Sequence, residues 1–282
     1  MTKRRWNLMS KLKRQFLSGP YVIWVIGFVL LPILMIVYYG ITDASGAFTL
    51  QNITAIAEPI HIKALLLSLK LALLCTVFCL ILAYPLAMIL NSLHLKRQSF
   101  VVFIFVLPMW MNFMLRILAW QLLLSNNGIL NTILESIGLP KLSLLNTPSA
   151  VVFGMVYDFL PFMILPIYNA MGRIGDDIIN AARDLGANQF YVFIKIIFPL
   201  TLSGVLSGII MVFVPALTSF VISNLLGGGK VLLIGNVIEQ EFMQSMDWNM
   251  GSGLSIVLMV FVVASMAFMN SHNKEGEGTA VW

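Results

Sequence analysis

Three charged side chains stand inside long apolar stretches of this chain, and they are the residues whose chemistry most needs an explanation. They are Lys70, Arg116 and Asp158. A carboxylate in apolar surroundings is costly unless a cation neutralises it. For Asp158 this leaves two uses: an internal ion pair with Arg116, or contact with a passing cation. Tyr157 and Trp110 favour the second use, because aromatic faces attract ammonium groups. The residues alone leave both uses open.

The composition places these charges in a membrane. Of the 282 residues, 59% are hydrophobic and 10% are charged, whereas an ordinary soluble domain has about 25% charged residues. The mean hydropathy is +0.92. A soluble core of this size cannot bury so much apolar surface. The composition therefore excludes a soluble enzyme, a nucleic-acid-binding protein and a disordered chain.

Six segments reach or approach the length of about 20 apolar residues that a helix needs to cross a bilayer. They cover residues 21–40, 64–92, 99–120, 149–171, 196–222 and 251–270. The segments are apolar on all sides, which excludes the alternating pattern of a strand barrel. The sequence therefore predicts an all-α membrane protein with six transmembrane helices. Its predicted parts are a basic N-terminal tail over 1–20, a transmembrane domain over 21–270 and a C-terminal tail over 271–282.

The positions of lysine and arginine predict the orientation of these spans. Most of them lie in the N-terminal tail, in the connections after the second and fourth spans, and in the C-terminal tail. Basic residues accumulate on the cytoplasmic side of membranes, so both termini are predicted to be cytoplasmic. Acids outnumber bases in the external connections, which is compatible with a cationic solute.

Helical spacing completes the set of candidate residues for a solute pathway. Asn112 and Arg116 share one helix face, with Trp120 one turn further on. The candidates are Asp158, Tyr157, Trp110, Asn112 and Arg116. Lys70 is different, because it shares a face with Lys63 near the outer end of its span and is expected to extend toward the membrane surface.

The cytoplasmic connection over residues 172–195 is predicted to form a helix, a tight turn and a second helix. Asp176 and Asp177 suit a first helical turn, where the helix dipole favours negative charge. Gly186 suits a left-handed residue that ends the helix, and a second helix begins near Asn188. On these grounds alone, a simple surface turn and a docking element are equally compatible with the sequence.

This connection resembles the EAA loop of binding-protein-dependent ABC importer permeases, whose pattern is E-A-A, three residues, G, nine residues, then I-x-L-P. The matching residues are Ala181, Ala182, Gly186, Ile196 and Pro199. Asn180 replaces the glutamate of the family, and Phe198 replaces its usual leucine. The resemblance implies a coupling helix that docks into a cytoplasmic ATPase. Its ATPase-coupling residues would be Asn180, Ala181, Ala182, Asp184, Gly186 and Ala187.

Three further stretches are similar to the polyamine-type permeases of this family. They are residues 107–131, 147–168 and 225–242, and the similarity covers most of residues 20–270. It implies the type I ABC importer (MetI-like) permease fold, located in the bacterial cytoplasmic membrane. It also implies translocation of spermidine or putrescine by alternating access.

The implied partners are a second permease subunit, two ATP-binding subunits and an external polyamine-binding protein, with lipid around the chain and no nucleic acid. The sequence has no G-x-x-x-x-G-K-[ST] phosphate loop, no H-E-x-x-H and no G-x-S-x-G motif. We therefore expect no enzymatic activity, cofactor or metal site in this chain, and ATP hydrolysis by a partner subunit.

Two alternatives stay open at this point. One is a permease of the same class for another small solute, such as thiamine, iron or another organic cation. The other is an ion-coupled secondary carrier, which is expected to show internal repeats with broken helices at matching positions. The two halves show no such repeat, although prolines interrupt several spans.

Small residues in the fifth span predict a close helix contact. Ser203, Gly204, Ser207 and Gly208 form a strip with G-x-x-x-G spacing. Packing within the chain and contact with a second permease subunit are both compatible with it. In the second span, Cys75 and Cys79 share one face and are predicted to be packing residues.

Overall fold

A computed structural model describes residues 19–92 and 107–277, with side chains as far as residue 269. Regular structure in these ranges is helical, apart from one antiparallel bridge between Thr42 and Phe48. The helices are α1 (Gly19–Gly40), α2 (Gln51–Thr54), α3 (Pro59–Ser92), α4 (Phe113–Leu124), α5 (Ile129–Ser136), α6 (Pro148–Met171), α7 (Asp176–Asp184), α8 (Gln189–Thr218), α9 (Val221–Gly227), α10 (Ile234–Met243) and α11 (Trp248–Glu277).

Five of these helices are long and apolar enough to cross a membrane. They are α1, α3, α6, α8 and the Trp248–Met269 part of α11. The all-α membrane fold is therefore confirmed, and these helices coincide with the first, second, fourth, fifth and sixth predicted spans. Part of the third predicted span, residues 99–106, lies outside the described residues. The number of six spans and the cytoplasmic location of both termini stay predictions.

The described part of the third span is not the continuous helix that was predicted. A 3-10 turn over Leu107–Trp110 is followed by a break, and α4 begins only at Phe113. Pro108 cannot donate a backbone hydrogen bond, which disfavours a regular helix around it. Asn112 then caps α4, because its side chain accepts a hydrogen bond from the Leu115 amide at 3.3 Å.

The predicted end of the fifth span, residue 222, is also wrong. Helix α8 ends at Thr218, since Ser219 adopts an extended conformation with ψ of 125°. The side-chain amide of Asn236 donates to the Phe220 carbonyl at 3.1 Å, which satisfies an acceptor at the break. A separate short helix, α9, follows from Val221.

Helices α3, α6 and α8 pack against one another and form the centre of one compact unit, which comprises the described part of residues 59–239 and 261–277. Glycines allow the closest approach between α6 and α8. A Cβ on Gly204 would lie 2.6 Å from the Pro166 carbonyl oxygen, and one on Gly208 would lie 2.6 Å from Met163 Sδ. The small-residue strip thus serves packing within the chain at these two positions.

The second unit comprises the described part of residues 1–58 together with residues 240–260. The side-chain amide of Asn249 donates to the carbonyl of Thr42 at 2.6 Å and to that of Tyr39 at 3.1 Å. Gly40 lies directly against the backbone of Ser252 and Gly253. These contacts fix the end of α1 to the first turns of α11.

A smaller sequence prediction is confirmed in α3. Cys75 and Cys79 are fully buried, and their Sγ atoms lie 4.0 Å apart, so they act as packing residues. Lys63 and Lys70 are exposed at the surface of the described structure. The extension of Lys70 toward a membrane surface stays a prediction.

Candidate functional site

Helix α7 is an exposed amphipathic helix that ends at a glycine. Asp176 and Asp177 occupy its first turn and Arg183 its last turn, so each charge complements the helix dipole. Gly186 has φ of +85°, a conformation that glycine adopts without a steric penalty. The sequence prediction of a left-handed end at this glycine is confirmed.

The turn after α7 is closed by two backbone hydrogen bonds that form a Schellman motif. The Gly186 amide donates to the Arg183 carbonyl at 2.8 Å, and the Ala187 amide donates to the Ala182 carbonyl at 3.0 Å. Asn188 then caps α8, because its Oδ1 accepts a hydrogen bond from the Tyr191 amide at 2.7 Å. The two residues between the turn and α8 both take part in these hydrogen bonds, Ala187 in the Schellman motif and Asn188 as the cap. The connection is therefore a compact helix–turn–helix.

The predicted ATPase-coupling residues lie together on this element. Asn180, Ala181, Asp184 and Gly186 are exposed, while Ala182 and Ala187 are half-buried. The exposed group forms a surface that a second protein can reach. Helix α8 continues from this surface into the apolar core, since Thr201 within it is fully buried.

Arg116 and Asp158 form a buried ion pair between α4 and α6. Arg116 Nη2 lies 2.8 Å from Asp158 Oδ1, and the two side chains are 9% and 2% exposed. Arg116 Nη1 also donates to the Pro108 carbonyl at 2.9 Å, which ties the interrupted segment before α4 to the same group. Of the two uses that the sequence left open for Asp158, the internal ion pair is present in the structure.

Aromatic rings line one side of this pair. The guanidinium carbon of Arg116 lies 6.0 Å from the centre of the Tyr157 ring, a distance at which cation–π attraction operates. The Trp120 ring lies 5.2 Å from the Tyr157 ring and 4.7 Å from the Phe153 ring, both edge-to-face. Three of the predicted pathway residues, Asp158, Tyr157 and Arg116, are thereby brought together.

The other two predicted pathway residues have different surroundings. Trp110 is 77% exposed, and the Asn112 side chain caps α4. Asn112 still lies one helical turn before Arg116, because its carbonyl accepts a hydrogen bond from the Arg116 amide at 3.2 Å. The break at residues 111–112 separates Trp110 from this helix.

Sequence reasoning missed some exposed apolar side chains on the connection. Leu185 is 89% exposed, Phe190 is 71% exposed and Tyr191 is 55% exposed. The signal that could have identified Leu185 is a bulky apolar residue directly before the helix-ending glycine, outside the last full turn.

Comparison with known proteins gives the wider context of this site. Residues 16–273 match the family described as "Binding-protein-dependent transport system inner membrane component". The spermidine/putrescine transport system permease protein PotB of Haemophilus influenzae is 39% identical over 247 residues, which is 85% of this chain and 86% of that protein. PotB of Escherichia coli K12 is 40% identical over 245 residues, covering 84% and 89%.

A solved structure shares the fold. The bacterial ABC transporter that imports the acidic polysaccharide alginate superposes with a TM-score of 0.77 at 18% identity, covering 95% of this chain and 99% of that one. The family match spans most of the sequence and includes both the exposed connection and the buried ion pair. The chain belongs to the family of binding-protein-dependent transport system inner membrane components.

Proposed function

We propose that this chain is the membrane-spanning permease subunit of an ATP-driven importer of polyamines such as spermidine and putrescine. The observation that carries the proposal is the exposed helix–turn–helix at Asp176–Val192, which passes without a linker into the apolar helix α8. The identity of about 40% to permease proteins named for spermidine and putrescine supports the substrate class.

The chain works with partners in this proposal. They are a second permease subunit, two ATP-binding subunits and an external polyamine-binding protein in the cytoplasmic membrane of a bacterium. Closure of the ATP-binding subunits displaces the coupling residues on α7 and its turn. The cap at Asn188 transmits this displacement to α8 directly, and the tilt of the spans exposes a central path to the outside.

The buried ion pair supports a path for a cation. In this conformation a carboxylate oxygen of Asp158 and the ring of Tyr157 surround a positively charged group, the Arg116 guanidinium. The same two groups suit an ammonium group of a polyamine, since it has the same charge sign and the same attraction to an aromatic face. Arg116 holds Asp158 until the spans tilt, and Asp158 then faces the solute.

Uptake by the complete importer tests the function. The chain is co-expressed with the three partner types, reconstituted into liposomes and supplied with labelled spermidine, putrescine, thiamine or iron. We expect uptake of the polyamines only when ATP is present on the side of the ATP-binding subunits. Uptake of thiamine or iron in place of polyamines would overturn the substrate class. Gradient-driven uptake by this chain alone would overturn the ATP-driven mechanism in favour of a secondary carrier.

The role of Asp158 is tested by Asp158→Asn in the same assay. We expect polyamine uptake to fall at least tenfold while the subunits still co-purify, because the neutral amide loses its attraction for an ammonium group. Lys70→Gln is the matched control, since it removes an exposed charge from a neighbouring apolar helix. Wild-type uptake by Asp158→Asn would remove this residue from the path.

The orientation that coupling requires is tested by labelling. A cysteine introduced by Gln189→Cys lies on the exposed connection, whereas the natural Cys75 and Cys79 are buried. In intact cells a membrane-impermeant maleimide should leave this cysteine unlabelled, and it should label it in inverted vesicles. Labelling from the outside would contradict a cytoplasmic connection and cytoplasmic termini.

A further inference from the structure

The helix that follows the coupling element begins with a widened turn. Residues Phe193–Ile197 form a π-helical turn, and the Phe198 amide donates to the Phe193 carbonyl five residues back. Pro199 accounts for the widening, because it has no amide proton and its ring crowds the carbonyl of Lys195, four residues earlier. Such turns are local irregularities that bend and rotate a helix more easily than a regular turn.

One tyrosine of α3 contacts both ends of this turn. The Tyr84 ring lies 5.5 Å from the Phe193 ring at an angle of 89°, and 5.9 Å from the Phe198 ring at 43°. Phe193 and Phe198 are five positions apart, which is the spacing of the hydrogen bond in a π-turn, and both rings pack on Tyr84 from one side of the turn. Any change in the turn that separates these two rings must therefore disturb their packing on Tyr84.

The hydroxyl of Tyr84 adds a directional contact just beyond the turn. It lies 2.7 Å from Thr201 Oγ1, and both residues are buried, at 8% and 0% exposure. Thr201 Oγ1 also lies 2.8 Å from the Ile197 carbonyl oxygen and 3.1 Å from that of Phe198. When its single proton is donated to this backbone, Tyr84 is the donor to Thr201. The result is a chain of two hydrogen bonds from α3 to the last residue of the π-turn.

Helix α3 is itself irregular at this point. Pro85 directly follows Tyr84 inside the helix, and it removes a backbone hydrogen bond there. Tyr84 thus joins the proline-interrupted turn of α3 to the π-turn of α8. Both lie within one compact unit, in which α3 and α8 also pack on α6.

We propose that Tyr84 and Thr201 are positioning residues for coupling: their hydrogen bond fixes the π-turn to α3, so that displacement of α7 moves α3 together with α8. The proposal rests on the proposed function as an ATP-driven permease. Without the bond, the displacement is absorbed by rotation at the π-turn, and ATP hydrolysis is no longer converted fully into tilt of the spans. One such bond contributes about 1 kcal/mol, which corresponds to about fivefold in an equilibrium.

The test measures uptake and ATP hydrolysis together in the reconstituted importer. Tyr84→Phe and Thr201→Val each remove one hydroxyl and keep the shape of the side chain. We expect assembly and the ATPase rate to stay within twofold of wild type, and the number of polyamines imported per ATP to fall about fivefold. The double variant should match either single variant, since all three lack the same bond.

Thr76→Val is the matched control. Thr76 is a buried threonine of α3 whose hydroxyl donates to the Ala72 carbonyl of its own helix at 2.8 Å. We expect this variant to keep the wild-type ratio of uptake to ATP hydrolysis even if its thermal stability falls.

The outcomes separate this proposal from the function on which it rests. If the wild-type complex shows no ATP-driven uptake, the proposed function fails. If it transports polyamine but Tyr84→Phe and Thr201→Val keep the wild-type ratio, the function stands and the positioning role is overturned. A proportional loss of uptake and ATP hydrolysis also overturns it, because that pattern indicates a purely structural bond.

Discussion

Replacement of Gly204 by alanine tests how closely α6 and α8 pack. A Cβ at this position would lie 2.6 Å from the Pro166 carbonyl oxygen and 2.6 Å from Ala170 Cβ. Carbon atoms in contact normally lie about 3.5–4.0 Å apart. Neither neighbouring atom belongs to the flexible end of a side chain, so the two helices themselves must separate by about 1 Å.

The loss in the free energy of unfolding at Gly204 follows from the energetics of overpacked cores. Inserting a methyl group into a well-packed interior costs about 1–3 kcal/mol. Because the obstacle at Gly204 is backbone and Cβ, we expect about 2–3 kcal/mol, or about 30- to 150-fold in the folding equilibrium constant. At Gly208 the nearest atom is the flexible Met163 Sδ at 2.6 Å, and the next atoms lie at 3.3 and 3.4 Å. Gly208→Ala should cost less than about 1 kcal/mol.

Unfolding of the purified chain in mixed micelles, with increasing dodecyl sulfate and tryptophan fluorescence as the signal, measures these differences. Gly27→Ala is the control, because a Cβ on Gly27 of α1 meets no atom within 4 Å. The expected order of destabilisation is Gly204→Ala, then Gly208→Ala, then Gly27→Ala with a change within about 0.5 kcal/mol. Equal stabilities of Gly204→Ala and Gly27→Ala would refute the close packing of α6 on α8.

Three further predictions concern the connection, the ion pair and the loop after α1. Gly186→Ala forces a side chain into φ of +85° at a cost of about 1–2 kcal/mol, so limited proteolysis of the connection should accelerate severalfold. Gly172→Ala is the control and should not change it, because Gly172 has φ of −65° and a Cβ there meets no atom closer than 3.6 Å. Arg116→Leu leaves the buried Asp158 carboxylate without its cation and should lower the free energy of unfolding by about 3–5 kcal/mol in the same micelle assay. Adding Asp158→Leu should recover most of this loss. A double variant no more stable than Arg116→Leu would contradict the prediction. Hydrogen bonds, first of all from a serine hydroxyl two residues on, lower the pKa of Asp43 below 3.8. The loop is therefore stabilised above the unfolded-state pKa and loses this stabilisation as pH falls through the lowered value. The chemical shifts of the loop amides in NMR should titrate below pH 3.8, and they should not titrate in Asp43→Asn.

The sequence predicted the long helices well because their signal is simple. A run of about 20 apolar residues has only one stable form in a bilayer, in which the helix satisfies its own backbone hydrogen bonds. The connection was equally predictable, since Asp177, Gly186 and Asn188 are a first-turn acid, a left-handed end and a cap. Each of these acts through its own backbone or that of its near neighbours.

The breaks in the third and fifth spans were not predictable in the same way. Hydropathy is insensitive to a single interrupted turn, and the breaks depend on partners distant in sequence or on one proline. The Phe220 carbonyl at the end of α8 is satisfied by Asn236, and Pro108 is tied to Arg116. Patterns of local spacing contain no information about such pairs.

The candidate site was likewise predictable only in part from the sequence. An ion pair between Arg116 and Asp158 could be inferred as one of two uses, but the choice between this pair and a free acid could not. That choice depends on how α4 packs against α6, which places Arg116 Nη2 2.8 Å from Asp158 Oδ1. The contact of Tyr84 with Thr201 joins residues 117 positions apart, and a tyrosine before a proline in an apolar run gives no sign of it.

Helix α8 combines properties that suit transmission of movement. Around its middle it is joined to α3 through Thr201 and packed closely on α6 at Gly204 and Gly208. A helix fixed on two sides around its middle cannot turn independently of its neighbours, so a displacement at Asn188 is expected to move all three helices together. Pro215 lies beyond these contacts, close to the end of α8 at Thr218. Bending is therefore expected near Pro215, where a backbone hydrogen bond is missing, rather than where the displacement enters.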